Sequence, residues 1–259
     1  MKTRIEPGNP FGYDRYGFAW QHVPAGGPAH LDFGCGDGRF LAALASKGCG
    51  RLVGIDISRE AVEQAQQRCG GAEIVHLTQV APLPFPDGTF SSASLMDVLE
   101  HVYEQDVLLG ELQRVLQAGG ILIVTVPRRY VFSFLDLGNL KFRFPRLHRW
   151  CYCRRHTQQE YERRYVTNPD GLVGDVSAQK RWHEHFTQAG LAELLSRNGF
   201  ETVAFDGAGF FLRVLKLADL MFRRLGPARR ALGKLRVPDA RLFSSANLFC
   251  VARKANDMV

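Results

Sequence analysis

Cysteine is sparse and scattered, with six in 259 residues at Cys35, Cys49, Cys69, Cys151, Cys153 and Cys250. They have neither the density of a disulfide scaffold nor a Cys-x-x-Cys pair, so reduced thiols are expected. The lone Cys151-x-Cys153 pair is too little for zinc, and no metal site is assigned from the sequence. Long apolar runs are missing too. No stretch reaches the roughly 20 uncharged apolar residues that span a bilayer, although 46% of the residues are apolar. Residues 1–10 lack the apolar core of a secretory signal, so a cytoplasmic location is the expectation. Internal repeats and low-complexity tracts are also lacking. A chain of this length buries one sizeable core, and a single domain over residues 1–259 is expected.

Charge is present but uneven. The net value of +7 hides two basic segments, 128–164 with ten Lys/Arg against three Asp/Glu and 213–254 with eleven against two. The rest of the chain is net acidic. Basic additions on an acidic body suit an anionic partner surface, or merely a solvated cationic face.

From 29 to 126 short β-rich runs alternate with amphipathic helical stretches, the pattern of a parallel sheet covered by helices. Strands are expected at 29–33, 52–55, 73–77, 92–96 and 121–126, then at 201–205 and 246–252. Ser58 is placed to cap a helix over 59–68, with Glu60 and Glu63 in its first turn. A stripe of Val107, Leu108, Leu112, Val115 and Leu116 predicts a helix over 103–116, closed by Gly119-Gly120. Thr187 is placed to cap 188–197, and Gly199 to stop it. Two segments break the rhythm. Residues 128–185 are aromatic and basic and include Asn168-Pro169-Asp170-Gly171, while 207–245 is longer than a hairpin needs.

The apolar run 29–33 feeds Gly34, Gly36 and Gly38 and then a helical pattern from about Phe40. Glycines at such a turn let a ligand lie against the backbone, facing a helix N-terminus. Dinucleotide sites use G-x-G-x-x-G, whereas Gly34-x-Gly36-x-Gly38 is followed by Arg39, so the third dinucleotide glycine is absent. Asp32 before the loop would repel a pyrophosphate but attract the amino group of a methionine moiety, which favours S-adenosylmethionine. Asp56 ends the second strand about 20 residues later, where a carboxylate can accept from ribose hydroxyls. Ile57 would then sit against the adenine. The competing role for Asp56 is to cap the following helix, for which Ser58 is already suited.

Taken together, Asp32-Phe33-Gly34-Cys35-Gly36-Asp37-Gly38, Asp56, Leu83-Pro84-Phe85-Pro86-Asp87-Gly88-Thr89-Phe90 and Asp97-Val98-Leu99-Glu100-His101-Val102 resemble the class I S-adenosylmethionine-dependent methyltransferases. The branch is the one holding quinone-biosynthesis and small-molecule enzymes. The resemblance covers 29–126, 186–206 and 246–253. It implies a Rossmann-like α/β fold with a seven-stranded, mostly parallel sheet, an antiparallel last strand and helical insertions. It also implies S-adenosylmethionine as cofactor, with Asp32, Gly34, Cys35, Gly36 and Gly38 around the methionine end and Asp56 at the ribose. Asp97 would lie near the reacting methyl. Many relatives carry Asp four residues before Leu83 to meet the adenine amino group, whereas this chain has Gln79, so Gln79 and Val80 become the adenine contacts.

Methyl transfer to a hydroxyl calls for a base, most often histidine. His101, His183 and His185 are the candidates, against packing or capping roles for each. A Glu100, His101 and His185 metal set would require a proximity that the sequence does not establish. In 209–225, Arg213, Lys216, Asp219 and Arg223 recur at near-helical spacing opposite a broad apolar face. This is an amphipathic lid or a helix drawn to an anionic membrane, with Arg224, Arg229 and Arg230 on its flank. The insertion interleaves Phe132, Phe134, Phe142, Phe144, Trp150, Tyr152 and Tyr161 with arginines. Such a surface suits either nucleic acid or a pocket for a small-molecule or lipid-linked acceptor. With no RNA-binding module beside it, the acceptor pocket is the reading adopted. The rivals are an RNA methyltransferase, a cofactor-binding module without turnover and a dehydrogenase.

Overall fold

A computed structural model describes residues 5–79, 81–167, 183–222 and 225–255. In chain order the elements are α1 (Arg15–His22), β1 (Ala29–Phe33), α2 (Arg39–Leu44), β2 (Arg51–Asp56), α3 (Arg59–Arg68), β3 (Glu73–His76) and β4 (Phe90–Met96). Then come α4 (Gln105–Val115), β5 (Leu116–Pro127), α5 (Leu140–Arg143), α6 (Pro145–Cys153) and α7 (Gln158–Glu162). The chain closes with α8 (Gln188–Arg197), β6 (Phe200–Ala208), α9 (Leu212–Met221), α10 (Gly226–Leu242) and β7 (Asn247–Lys254).

The seven described strands form one sheet in the order β3-β2-β1-β4-β5-β7-β6. The first five run parallel, and β7 is antiparallel to both neighbours. All five residues of β1 are buried, as a central parallel strand with helices on both faces requires. One core gathers Leu31, Phe33, Phe90, Leu109 and Leu195, and a second gathers Phe40, Leu41, Ile123 and Phe249.

Local signals are realised as side-chain caps. Ser58 accepts a hydrogen bond from the Ala61 amide at 3.2 Å, and Thr187 accepts one from Gly190 at 3.0 Å. Gly119-Gly120 do not end α4, which stops at Val115. Leu116 pairs with Phe90 and Ile121 with Ser92, so the register jumps, and Gly119 takes a φ of 70° inside that bulge. The glycines serve the strand's irregular start rather than a helix terminus.

Both excursions leave and rejoin the sheet beside themselves. Arg128 bridges Phe186 across the first, and Gly209 bridges Ser244 across the second. The expected helix over 209–225 is shorter, because Asp239 accepts from the amides of Phe210 and Phe211, at 3.0 and 2.9 Å, just before α9 begins. Its charged stripe is turned partly inward. Arg213 is buried against the Tyr130 ring, at 5.1 Å, while Leu220, Met221 and Phe222 are exposed. Among the described residues no helix is long and apolar enough to cross a membrane.

Candidate active site

The carboxyl ends of β1, β2 and β4 meet at the glycine loop. Register places Asp32 between Gly54 and Ser94. Gly34, Gly36 and Gly38 all have positive φ, at 77°, 53° and 75°. They differ in what surrounds them. A Cβ on Gly34 would lie 2.4 Å from Val98 Cγ2 and one on Gly38 2.7 Å from Cys69 Sγ, whereas one on Gly36 would meet nothing within 4 Å. Gly34 and Gly38 therefore let the protein close on itself, and Gly36 alone opens its backbone to a ligand.

Asp56 braces this loop from β2. One of its oxygens accepts from the Gly36 amide at 2.9 Å, and the other from the Ser58 amide at 2.9 Å. Each oxygen keeps a second lone pair for a further donor. Ile57 is half-buried against the core, Gln79 is exposed beyond β3, and Val80 lies outside the described residues. Cys35 turns its thiol into the core, where burial pushes its pKa up, so only its backbone can face the loop.

Asp32 is 1% exposed, and only one of its two oxygens is served. Ser94 Oγ donates to Oδ1 at 2.5 Å and itself lies 3.1 Å from His30 Nε2, while His30 Nδ1 faces Ser92 Oγ at 2.9 Å. Burial holds His30 neutral by lowering its pKa to about 3. Oδ2 of Asp32 is buried with no hydrogen-bond partner. Burial raises the Asp32 pKa to about 7, the Ser94 hydrogen bond offsetting only part of that, and Asp56 adds to the rise. An acceptor held dry near an open glycine backbone suits a primary ammonium, which only donates.

At the end of β4, Asp97 adopts a φ of 54°, left-handed for a residue with a side chain. Thr125 Oγ1 donates to it at 2.8 Å, and Arg15 of α1 forms an ion pair with its other oxygen. Burial opposes the Arg15 charge, but Asp97 outweighs it and raises the guanidinium pKa. Nothing in the sequence marked Arg15, because only the packing of α1 brings it 82 residues along the chain to Asp97.

The next turn, Leu99–His101, carries Glu100 and His101. All three candidate histidines gather here. The rings of His101 and His183 are 4.9 Å apart, and those of His183 and His185 5.9 Å apart. Asp136, from the insertion, accepts from His183 Nδ1 and His185 Nε2, each at 2.6 Å. The second carboxylate, Glu100, lies 3.4 Å from His183 Nε2 and 3.9 Å from His101 Nε2. Asn139 clamps the His183 backbone, its side chain donating to the carbonyl at 3.0 Å and accepting from the amide at 2.6 Å.

Electrostatics bind the cluster together. Burial opposes the charge on His183, but Asp136 and Glu100 outweigh it and raise the pKa to about 9. Burial likewise opposes charge on Asp136, yet its two histidine hydrogen bonds hold it well below the usual carboxylate range. For Glu100 burial prevails over His183 and the pKa rises to about 7, with Asp97 adding to the rise. Lys216 of α9 spans both groups. Burial lowers its pKa, while Asp97 and Asp136 pull it back up. The grouping differs from the one raised by the sequence, since Glu100 stands with His101 and His183, and His185 stands with Asp136.

Residues 31–124 match the family described as "Methyltransferase domain". A probable S-adenosylmethionine-dependent methyltransferase of Mycolicibacterium smegmatis is 33% identical over 103 residues, 40% of this chain and 39% of that one. A demethylmenaquinone methyltransferase of Thermobifida fusca is 28% identical over 188 residues, 70% of this chain and 72% of that one. A solved S-adenosylmethionine-dependent methyltransferase structure from Methanosarcina mazei shares the fold at a TM-score of 0.55 and 20% identity, covering 94% of this chain and all of that one. The methyltransferase-domain match thus falls on the glycine loop and β1 to β5, and the fold around it is shared with the solved methyltransferase structure. The chain spans between 30% and 39% of the length of two curated relatives that it matches.

Proposed function

We propose that this protein transfers a methyl group from S-adenosylmethionine to an oxygen of a small-molecule or lipid-linked acceptor. The observation that carries the reading is the buried, partnerless Oδ2 of Asp32 beside the open backbone of Gly36. In this reading Asp32 and the open backbone of Gly36 hold the methionine end, with Gly34, Cys35 and Gly38 shaping the loop behind it. Asp56 accepts from the ribose hydroxyls, while Ile57, Gln79 and Val80 border the adenine. Asp97 stands at the methyl end, steadied by Arg15 and Thr125. S-adenosylmethionine supplies an electrophilic methyl group when bound.

The protein's own work is alignment and proton handling. The acceptor enters over α9 and the insertion, and His101 or His185 takes its hydroxyl proton, while His183, held protonated between Asp136 and Glu100, orders the cluster. Support for a small acceptor comes from the Thermobifida fusca relative, whose name specifies a quinone. A lipid-linked acceptor accords with the exposed Leu220, Met221, Phe222 and Leu225 beside cationic α10, which would rest the protein on an anionic membrane. The segments 128–185 and 207–245 then act as cap and lid over one domain. The test is transfer of labelled methyl into a lysate separated into lipid, RNA, protein and small molecules. Label in the lipid or small-molecule fraction is expected, and label confined to RNA or protein would overturn the assignment.

A further inference from the structure

We propose that Glu100, His101 and His183 bind a single divalent transition-metal ion, of the zinc, cobalt or manganese kind, with open positions facing the acceptor side. The three side chains offer ligand atoms that all lie within 4.8 Å of one another. Two protein ligands on one tetrahedral ion with bonds near 2.1 Å stand about 3.4 Å apart. Glu100 Oε1 is 3.4 Å from His183 Nε2 and 3.9 Å from His101 Nε2, so these two pairs stand within about half an ångström of the ligand spacing of one ion.

Glu100 provides the independent observation. Its side chain is 1% exposed, neither carboxylate oxygen has a hydrogen bond of full geometry, and its nearest cationic partner is the His183 imidazole at 3.4 Å. A carboxylate is seldom buried without full hydrogen bonding, because desolvation costs several kcal/mol. A cation among the three ligand atoms offsets that cost. The surroundings are also those of a ligand histidine. Asp136 accepts from His183 Nδ1 at 2.6 Å, which fixes the tautomer and leaves Nε2 to bind the ion, in the carboxylate–histidine–metal arrangement. Asn139 holds the His183 backbone from both sides, and Gln105 ties the adjoining Glu184 to the Leu99 carbonyl at 2.9 and 3.0 Å. Mixed imidazole and carboxylate donors suit zinc, cobalt, manganese or iron and disfavour the thiophilic metals.

Three protein ligands leave at least one position for an oxygen of the acceptor, where the ion would favour its deprotonated form. That role rests on the methyl-transfer reading, but ion binding does not, and binding is what the test measures. Chelator-stripped protein is dialysed against Co2+, Zn2+ or Mn2+ and analysed for bound ion and for the visible spectrum of the Co2+ form. One ion per chain is expected, with d–d bands of a nitrogen-ligated, low-coordinate Co2+ site. Glu100→Gln and His183→Gln should abolish stoichiometric binding, and Asp136→Asn should weaken it by roughly 10–100-fold. His22→Gln, on α1, should leave it unchanged. Where a cluster variant fails to fold by circular dichroism, the wild-type Co2+ spectrum decides. A hexa-aqua spectrum, or binding unaltered in folded Glu100→Gln, overturns the proposal.

Discussion

Asp136 accepts a 2.6 Å hydrogen bond from His183 Nδ1, joining the two ends of an insertion across 47 residues. Asp136 sits among basic residues just after β5, and His183 lies just before α8. The pair therefore ties the entry of the insertion to its exit. Replacing Asp136 by Asn removes charge-assisted bonds to two histidines at once. The expected loss is about 3 kcal/mol, or roughly 6 °C or more in Tm, read by thermal unfolding. An unchanged Tm would mean that the network adds nothing to the fold.

The raised pKa of Asp32, about 7, has a definite sign. Between the ordinary carboxylate value and 7 the folded protein binds more protons than the unfolded chain, so stability falls as pH rises through that window. Asp32→Asn should flatten this slope between pH 4 and 7 and make the ligand-free protein at least as stable at pH 8. The same variant should lose cofactor affinity. In the wild type, affinity should fall by up to ~10-fold per pH unit below 7, because a protonated Asp32 cannot pair with an ammonium. Calorimetry and denaturant unfolding across that range check both effects.

The loop glycines should separate into two kinds. Gly34→Ala drives a Cβ to 2.4 Å from Val98 Cγ2 on a left-handed backbone and should cost about 2 kcal/mol or more in stability. Gly36→Ala meets no neighbour within 4 Å, so its cost is the backbone strain alone, about 1 kcal/mol. Its larger effect should be on cofactor affinity. If both variants bind the cofactor like the wild type, the loop is not the site.

Membrane contact should be salt-sensitive. Arg229 is already engaged with Asp219 at 3.0 Å, so the informative changes are Arg230→Gln, Lys234→Gln and Arg241→Gln together, on exposed positions of α10. Sedimentation with anionic liposomes at low salt should be lost in this variant and in wild type at high salt. No sedimentation of wild type at low salt would remove the membrane from the account. Arg223 and Arg224, in the flank singled out by the sequence, lie outside the described residues.

Much of the fold was legible because its signals are local. Ser58 and Thr187 cap the helices assigned to them, and the alternation over 29–126 becomes β1 to β5 with short offsets at the ends. The seven-stranded sheet with an antiparallel last strand came through the family resemblance. Gly119-Gly120 misled because a strand bulge and a helix stop ask for the same residue. Periodicity could not orient α9, since a helix with charge on one face reads alike whether Arg213 meets water or Tyr130. The sequence singled out the three histidines but not Asp136, Asn139 or Arg15, which reach the site through tertiary packing alone. His30 and Ser94, which serve one side of Asp32, read as ordinary strand residues until the register places them together.

Calorimetric titration of S-adenosylmethionine into the purified protein decides whether the Asp32–Gly38 loop and Asp56 bind it. One site per chain is expected, weakened at least several-fold by Asp32→Asn and by Asp56→Ala, which leaves a ribose diol unpaired. No heat of binding, tighter binding of a nicotinamide dinucleotide, or an affinity indifferent to both substitutions would contradict it.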